Sequence, residues 1–276
     1  MDELTNISED DSSEDNLILQ RLLDEADRRR CRNDPVFFCR RFMRTFDPRP
    51  EAYPHTIDFD PYGFQEDLIL DLVSAIRNSE ELFIEKSRDM GVSWIALVVI
   101  LWFWLFEPGF QALLGSYIED FVDNGELDSL FGKLVFLIEN CKDPRLLPHG
   151  FKLDRDKTYM SLSNPENGNA ILGKAPTKRF GRSGRYTVVL FDELGFWAHA
   201  RQAWAAAGQS TRCRIAITTP PDEPSYAKYL RESSKIRVLT LHWRLHPLKD
   251  DDWYEREKHG KTEEEVLHEL DISWEY

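Results

Sequence analysis

The arrangement of apolar runs predicts an α/β fold, a mostly parallel central sheet flanked by helices. Three observations carry it. Tyr186–Phe191 and Arg214–Thr218 are continuous apolar runs, the pattern of strands buried on both faces of a parallel sheet. Segments of strand character alternate with segments of helical periodicity. At 276 residues the chain can bury one substantial core with a small appendage.

The elements follow in order. Residues 1–15 are acidic and poor in apolar side chains, which predicts a disordered tail. Residues 16–61 read as an N-terminal helical segment. Leu17, Leu19, Leu22 and Leu23, then Phe37, Phe38, Phe42 and Met43, predict two short amphipathic helices up to Phe46, and Pro48 to Pro61 break them. Residues 62–224 form the core. Phe64, Leu68, Leu72, Val73 and Ile76 make one face of a helix over 63–76, and Leu82, Phe83 and Ile84 make a strand. Ser93 to Phe106 is a buried helix, Gln111 to Ser116 a strand, and Leu127 to Asn140 a helix with Leu130, Leu134, Leu137 and Ile138 inward. Lys157–Leu162 and Asn169–Gly173 are two short strands, followed by the two apolar runs. Residues 225–276 add a helix over 226–233, a strand over 237–241 and a polar helix over 262–270, a smaller terminal piece that reads as a lid or linker.

Charge narrows the class of partner. The net charge is −14, but residues 1–15 carry seven acids and no bases, and residues 250–276 carry eleven acids against three bases. The remainder is therefore near neutral. Within it Lys174, Lys178, Arg179, Arg182 and Arg185 form a basic cluster with no acid among them, a local field able to meet phosphate or no more than a solvated loop. Cys31, Cys39, Cys141 and Cys213 lack metal-ligand spacing, which fits a reduced cytosolic compartment. The acidic start is no signal peptide, and the uncharged run from Met90 to Phe106 falls just short of a membrane span.

The octet Lys86, Ser87, Arg88, Asp89, Met90, Gly91, Val92 and Ser93 sits between a strand and a helix, the context of a phosphate-binding loop. In the ordinary G-x-x-x-x-G-K-[ST] motif, backbone amides cradle phosphate, the lysine reaches the terminal phosphates and the hydroxyl holds magnesium. Gly91 and Ser93 keep their places, but Val92 stands at the lysine position. Lys86 at the front of the loop, or Arg88 within it, would supply the missing charge. Roughly 100 residues on, the strand Val188 to Phe191 runs into Asp192 and Glu193, the form of a Walker B motif. A strand end fixes Asp192 near magnesium and places Glu193 to polarise the attacking water. The strand 215–218 ends in Thr218, Thr219 and Pro220, hydroxyls placed to sense the γ-phosphate. Gln65 has the donor and acceptor that an adenine edge requires.

With Phe64 and Gln65, Lys86 to Ser93, Val188 to Glu193, and Thr218 to Pro220 in this order, the chain resembles the ATPase half of tailed-bacteriophage large terminases, the DNA-packaging motors. The resemblance runs from about Tyr62 to the end, and a lysine at the front of the loop is a trait of that family. It implies the additional-strand (ASCE) P-loop fold, with ATP bound by Gln65, by Lys86 to Ser93, and by Thr218 and Thr219. It implies magnesium on Ser93 and Asp192, Glu193 as the catalytic carboxylate, and Lys86 or Arg88 on the γ-phosphate. An arginine acting on a neighbouring subunit falls on Arg182, with Arg179 and Arg185 as alternatives. The implied partners are double-stranded DNA, a portal protein, a small terminase subunit and further copies in a ring, in the host cytoplasm during assembly. No nuclease domain follows Tyr276, so the expectation is an ATPase fragment, monomeric in isolation, that does not cut DNA. Two rival readings are another P-loop translocase or helicase and a non-hydrolysing, nucleotide-binding DNA-docking module; an intact Glu193 argues against the second.

Overall fold

The computed structural model describes residues 22–23, 25–49 and 53–275. Its strands are β1 (Arg44–Phe46), β2 (Thr56–Asp58), β3 (Leu82–Lys86), β4 (Gln111–Gly115), β5 (Lys157–Thr158), β6 (Ser161–Ser163), β7 (Ala170–Gly173), β8 (Val188–Asp192), β9 (Arg214–Thr218) and β10 (Arg237–Leu241). The last eight form one sheet in the order β10-β3-β9-β8-β4-β7-β6-β5. From β10 to β7 all pairings are parallel, and β7, β6 and β5 close the far edge antiparallel. Strand β9 lies between β3 and β8, the additional strand that the sequence reading anticipates. This order puts the carboxyl ends of β3, β9 and β8 side by side, where open α/β sheets bind ligands.

Alternation along each strand divides the core between the two faces of the sheet. Leu82, Ile84, Ala112, Leu114, Leu190, Ile215 and Ile217 pack on one face. Phe83, Leu113, Val189, Phe191 and Ala216 pack on the other. The first face carries α1 (Pro35–Phe42), α2 (Gly63–Asn78), α3 (Val92–Phe106) and α4 (Leu130–Glu139); the second carries α5 (Ala200–Ala207) and α6 (Tyr226–Glu232). Helix α3 backs the loop. Its buried residues run from Val92 and Ile95 through Trp104, so it has no polar face and is enclosed on all sides. Its last carbonyls are capped from afar: Asn169 Nδ2 donates to Trp104 O at 2.9 Å and Glu107 O at 2.7 Å, and Asn164 Nδ2 to Trp104 O at 2.9 Å. These bonds satisfy groups that a helix end otherwise leaves unpaired. Among the described residues no helix is long and apolar enough to cross a membrane.

Several expectations are corrected. The strand expected over 157–162 is two strands, because Met160 adopts a left-handed φ of 52° and turns the chain back on itself. The Pro-rich break contains β2, which pairs antiparallel with β1 and ends the second expected helix at Phe42 rather than Phe46. The first expected helix is seen over residues 25–31, while Leu17, Leu19 and the acidic tail lie outside the described residues. The expected helix over 262–270 is an α-turn at Glu263–Glu265 that widens into a π-turn at Val266–Leu270.

Residues 225–276 are bound to the main sheet. Strand β10 pairs with β3 along its whole length. Within β3, Glu85 is 1% exposed, and three donors from the terminal residues meet it. Arg231 Nε donates to its Oε2 at 2.5 Å, Trp274 Nε1 to the same oxygen at 2.7 Å, and Thr240 Oγ1 to Oε1 at 2.6 Å. A buried carboxylate is tolerated only when so paired. Helix α7 (Asp251–Lys258) then stacks Tyr254 on Trp243 at a centroid distance of 4.9 Å.

Candidate nucleotide site

The loop between β3 and α3 turns on two left-handed residues, Asp89 (φ 58°) and Gly91 (φ 72°). Glycine suits position 91, because the φ there is positive and a Cβ would lie 2.8 Å from Gln65 Nε2. Gln65 supports the loop from beneath. Its Nε2 donates to Met90 O at 3.1 Å, and its Oε1 accepts from the Tyr62 amide at 3.0 Å. At 6% exposure Gln65 is held under the loop, with one donor and its oxygen engaged by backbone. Gly91 caps α3 without a side-chain hydrogen bond, which leaves the first-turn amides and the positive end of the helix for an anion.

Ser93, in the first turn of α3, donates from Oγ to Asp192 Oδ1 at 2.8 Å, and Ser116 Oγ donates to Asp192 Oδ2 at 3.3 Å. Burial at the end of β8, and then the neighbouring Glu193 charge, push the Asp192 carboxyl up to about 6, opposed by the Ser93 hydrogen bond, Lys86 and Lys133. The next residue breaks strand geometry. Consecutive strand side chains point to opposite faces, but Glu193 has φ 51° and ψ 48°, which turns its carboxylate back to the loop. Lys86 Nζ donates to Glu193 Oε1 at 2.8 Å, and the Thr219 amide donates to Oε2 at 3.3 Å. The turn is pinned from behind by Trp197 Nε1, which donates to Asp192 O at 2.9 Å. It is pinned again by the Gly195 amide, which donates to Thr218 Oγ1 at 3.1 Å, while that hydroxyl donates to Thr219 O at 2.6 Å.

These groups line a cleft of about 500 Å³. Of the sequence candidates it holds Lys86, Arg88, Asp89, Met90, Gly91, Val92, Ser93, Glu193 and Thr219. Asp192 lies just behind Ser93, and Thr218 is fully buried behind Thr219. Ser87 is turned away: its Oγ donates to Leu270 O at 2.6 Å and accepts from the Trp243 amide at 2.9 Å. Arg88 lies at the rim, where its Nη1 is 2.6 Å from Glu269 Oε1 and its carbonyl accepts from Lys249 Nζ at 2.8 Å. Arg179, Arg182 and Arg185 are exposed on the loop between β7 and β8 and do not line the cleft. Phe180 anchors that loop between Phe191 and Trp197, at centroid distances of 5.1 and 4.9 Å. Lys174 serves the loop itself, donating to Ser183 O at 3.1 Å.

Five lining residues carry no motif in the sequence: Trp94 after Ser93, Tyr117 after β4, Lys133 on α4, Phe196 after the Glu193 turn, and Glu269 on the π-turn. The Ser93 hydroxyl and Asp192 carboxylate, held 2.8 Å apart beside this loop, form a hard-oxygen donor set of the kind that would suit magnesium when phosphate and water complete its shell.

No protein-family model matches the chain, and no curated protein sequence matches it. Among solved structures it is similar to the large terminase of a thermophilic bacteriophage in complex with ADP, with a TM-score of 0.56 and 11% identity over 78% of this chain and 54% of that one. The same protein in complex with ATP-γ-S gives 0.55 and 11% over 78% and 53%. The ATPase domain of the Thermus phage P74-26 large terminase gives 0.51 and 16% over 71% of this chain and 88% of that one. The chain thus spans about half the length of the first of these terminases. It has the fold of phage large-terminase ATPase domains.

Proposed function

We propose that this chain binds ATP with magnesium in the cleft and hydrolyses it, as the ATPase part of a motor that drives double-stranded DNA into a procapsid. The observation that carries the reading is the convergence of Lys86, Ser93, Asp192, Glu193 and the Thr219 amide from four separate segments onto one loop. Ser93 and Asp192 would hold magnesium, which when bound offsets phosphate charge in the transition state. The amides of the loop and of the α3 first turn cradle the phosphates, and Lys86 reaches the terminal one. A phosphate oxygen competes with Glu193 for the Lys86 ammonium. Glu193, released from the lysine, orients the attacking water and accepts its proton.

The Thr219 amide on Glu193 and the Thr218 hydroxyl on the Gly195 amide make the end of β9 a reporter of what Glu193 contacts. The exposed basic loop suits an arginine acting on a neighbouring copy, with Arg182 as the first choice and Arg179 and Arg185 as alternatives. In that assembly the partners are DNA, a portal protein and a small terminase subunit in the host cytoplasm. The test is phosphate release from ATP with and without magnesium, beside nucleotide binding. Binding without any release, in rings as well as monomers, would refute the hydrolytic reading.

A further inference from the structure

Three cations line the cleft, and their partners differ. Lys86 and Arg88 each face a carboxylate of the same cleft, Glu193 at 2.8 Å and Glu269 at 2.6 Å. Lys133 does not. Its ammonium donates to the Asp128 carbonyl at 2.8 Å, and among the described residues it takes part in no ion pair. An ammonium has three donors, so further donors remain for a ligand.

The position of Lys133 is fixed. Ser129 caps α4 by accepting from the Gly132 amide at 3.0 Å and donates to Glu126 O at 2.8 Å. A Cβ at Gly132 would fall 1.8 Å from that same carbonyl, so the turn into α4 admits only glycine just before Lys133. Phe136, one helical turn further on, packs edge-on against Trp94 at 5.6 Å, which ties this face of α4 to the residue after Ser93. Lys133 therefore enters the cleft from the side of Ser93 and Asp192, where magnesium and the terminal phosphate would lie. At the position where an ordinary phosphate loop carries its lysine, Val92 is 2% exposed and packed in the core.

Resting on the reading of the cleft as a triphosphate site, we propose that Lys133 is a second phosphate-binding lysine, which meets the terminal phosphate of ATP from α4 and so distinguishes triphosphate from diphosphate. The ordinary single lysine is thereby divided between two elements, Lys86 on the sheet and Lys133 on a helix.

The experiment measures binding of a fluorescent non-hydrolysable ATP analogue and of fluorescent ADP, with magnesium, to the full chain and to Lys133→Gln, Lys133→Ala and Lys133→Arg. Glutamine keeps a donor for the Asp128 carbonyl and removes the charge, and thermal unfolding checks that each variant is folded. Loss of a charge-assisted hydrogen bond should weaken the triphosphate analogue by about 10- to 100-fold. ADP affinity should stay close to that of the unaltered chain, and arginine should restore most of the loss. Equal weakening of both probes, or an unchanged ratio between them, would overturn the proposal while leaving the site reading intact. An unaltered chain that binds neither probe would remove both.

Discussion

Lys86 and Arg88 stand two residues apart in one loop, and they belong to different halves of the molecule. Lys86 is enclosed at the end of β3 and faces Glu193 at the end of β8. Arg88 has a side chain 59% exposed and faces Glu269, on the π-turn of the terminal segment. The backbone repeats the division: the Arg88 amide donates to Glu269 O at 2.7 Å and the Ser87 amide to Leu241 O at 3.0 Å. The front of the loop is therefore wired by its side chain to the end of β8, and its middle to the terminal residues. On the proposed reading, a cation that does the missing lysine's work must reach the phosphates, and Lys86 is the one that faces the proposed catalytic carboxylate, Glu193.

The largest effects should test that division at the chemical end. Glu193→Gln should lower ATP hydrolysis by about 10²- to 10⁴-fold, the range for a general base, while nucleotide binding persists. Lys86→Ala should abolish measurable hydrolysis, and Arg88→Ala should leave most of it. Equal losses in the two variants, measured as phosphate release at saturating ATP, would erase the distinction drawn here.

An intermediate effect concerns stability. The Asp192 carboxyl is raised from 3.8 to about 6 in the folded chain. The stability it contributes is fully present below pH 3.8 and is lost as pH rises through about 6. Asp192→Asn should therefore stabilise the ligand-free chain at pH 7, by roughly 1–3 kcal/mol, and remove that part of the pH dependence. It should also eliminate hydrolysis. Thermal unfolding between pH 4 and pH 8 checks it, and an unchanged profile would show that Asp192 is not held so unfavourably.

The smallest effect lies at the rim. Arg88 and Glu269 form a partly exposed pair, so Glu269→Ala should cost no more than about 1 kcal/mol of global stability. Hydrogen exchange should nonetheless rise over residues 263–271, because the local clamp is loosened. Exchange that rises equally in the front of the loop would mean that the two halves are not separable.

The parts of this architecture that were legible in the sequence are those fixed by local pattern. Leu82–Ile84, Val188–Phe191 and Ile215–Ile217 are unbroken apolar runs within β3, β8 and β9 because both faces of the sheet are covered, and the acids Asp192 and Glu193 and the hydroxyls Thr218 and Thr219 mark the edge where the covering stops. Tertiary pairing decided the rest. Ser87 reads as a loop hydroxyl, yet its partners Leu270 and Trp243 lie more than 150 residues away. Gln65 also braces the loop through Met90 O and the Tyr62 amide, a support that no local pattern announces. Lys133 lies in a helix whose visible signal is its apolar stripe, so nothing local announces that the remaining face opens on the cleft. Nor does any periodicity foretell the turn at Met160, where one left-handed residue converts a strand into a hairpin.

Glu85 bears on where this chain can be shortened. Its carboxylate sits in β3, the strand that carries the loop, and Trp274 supplies one of its three donors. A shortened chain ending before Trp274 would leave an acid in the middle of a parallel sheet short of a hydrogen bond, and one ending before Arg231 would strip it of all three. Protease trimming from the carboxyl end should accordingly register as loss of cooperative unfolding of the whole sheet, beginning with the loss of Trp274, before Glu269 at the rim of the cleft is reached.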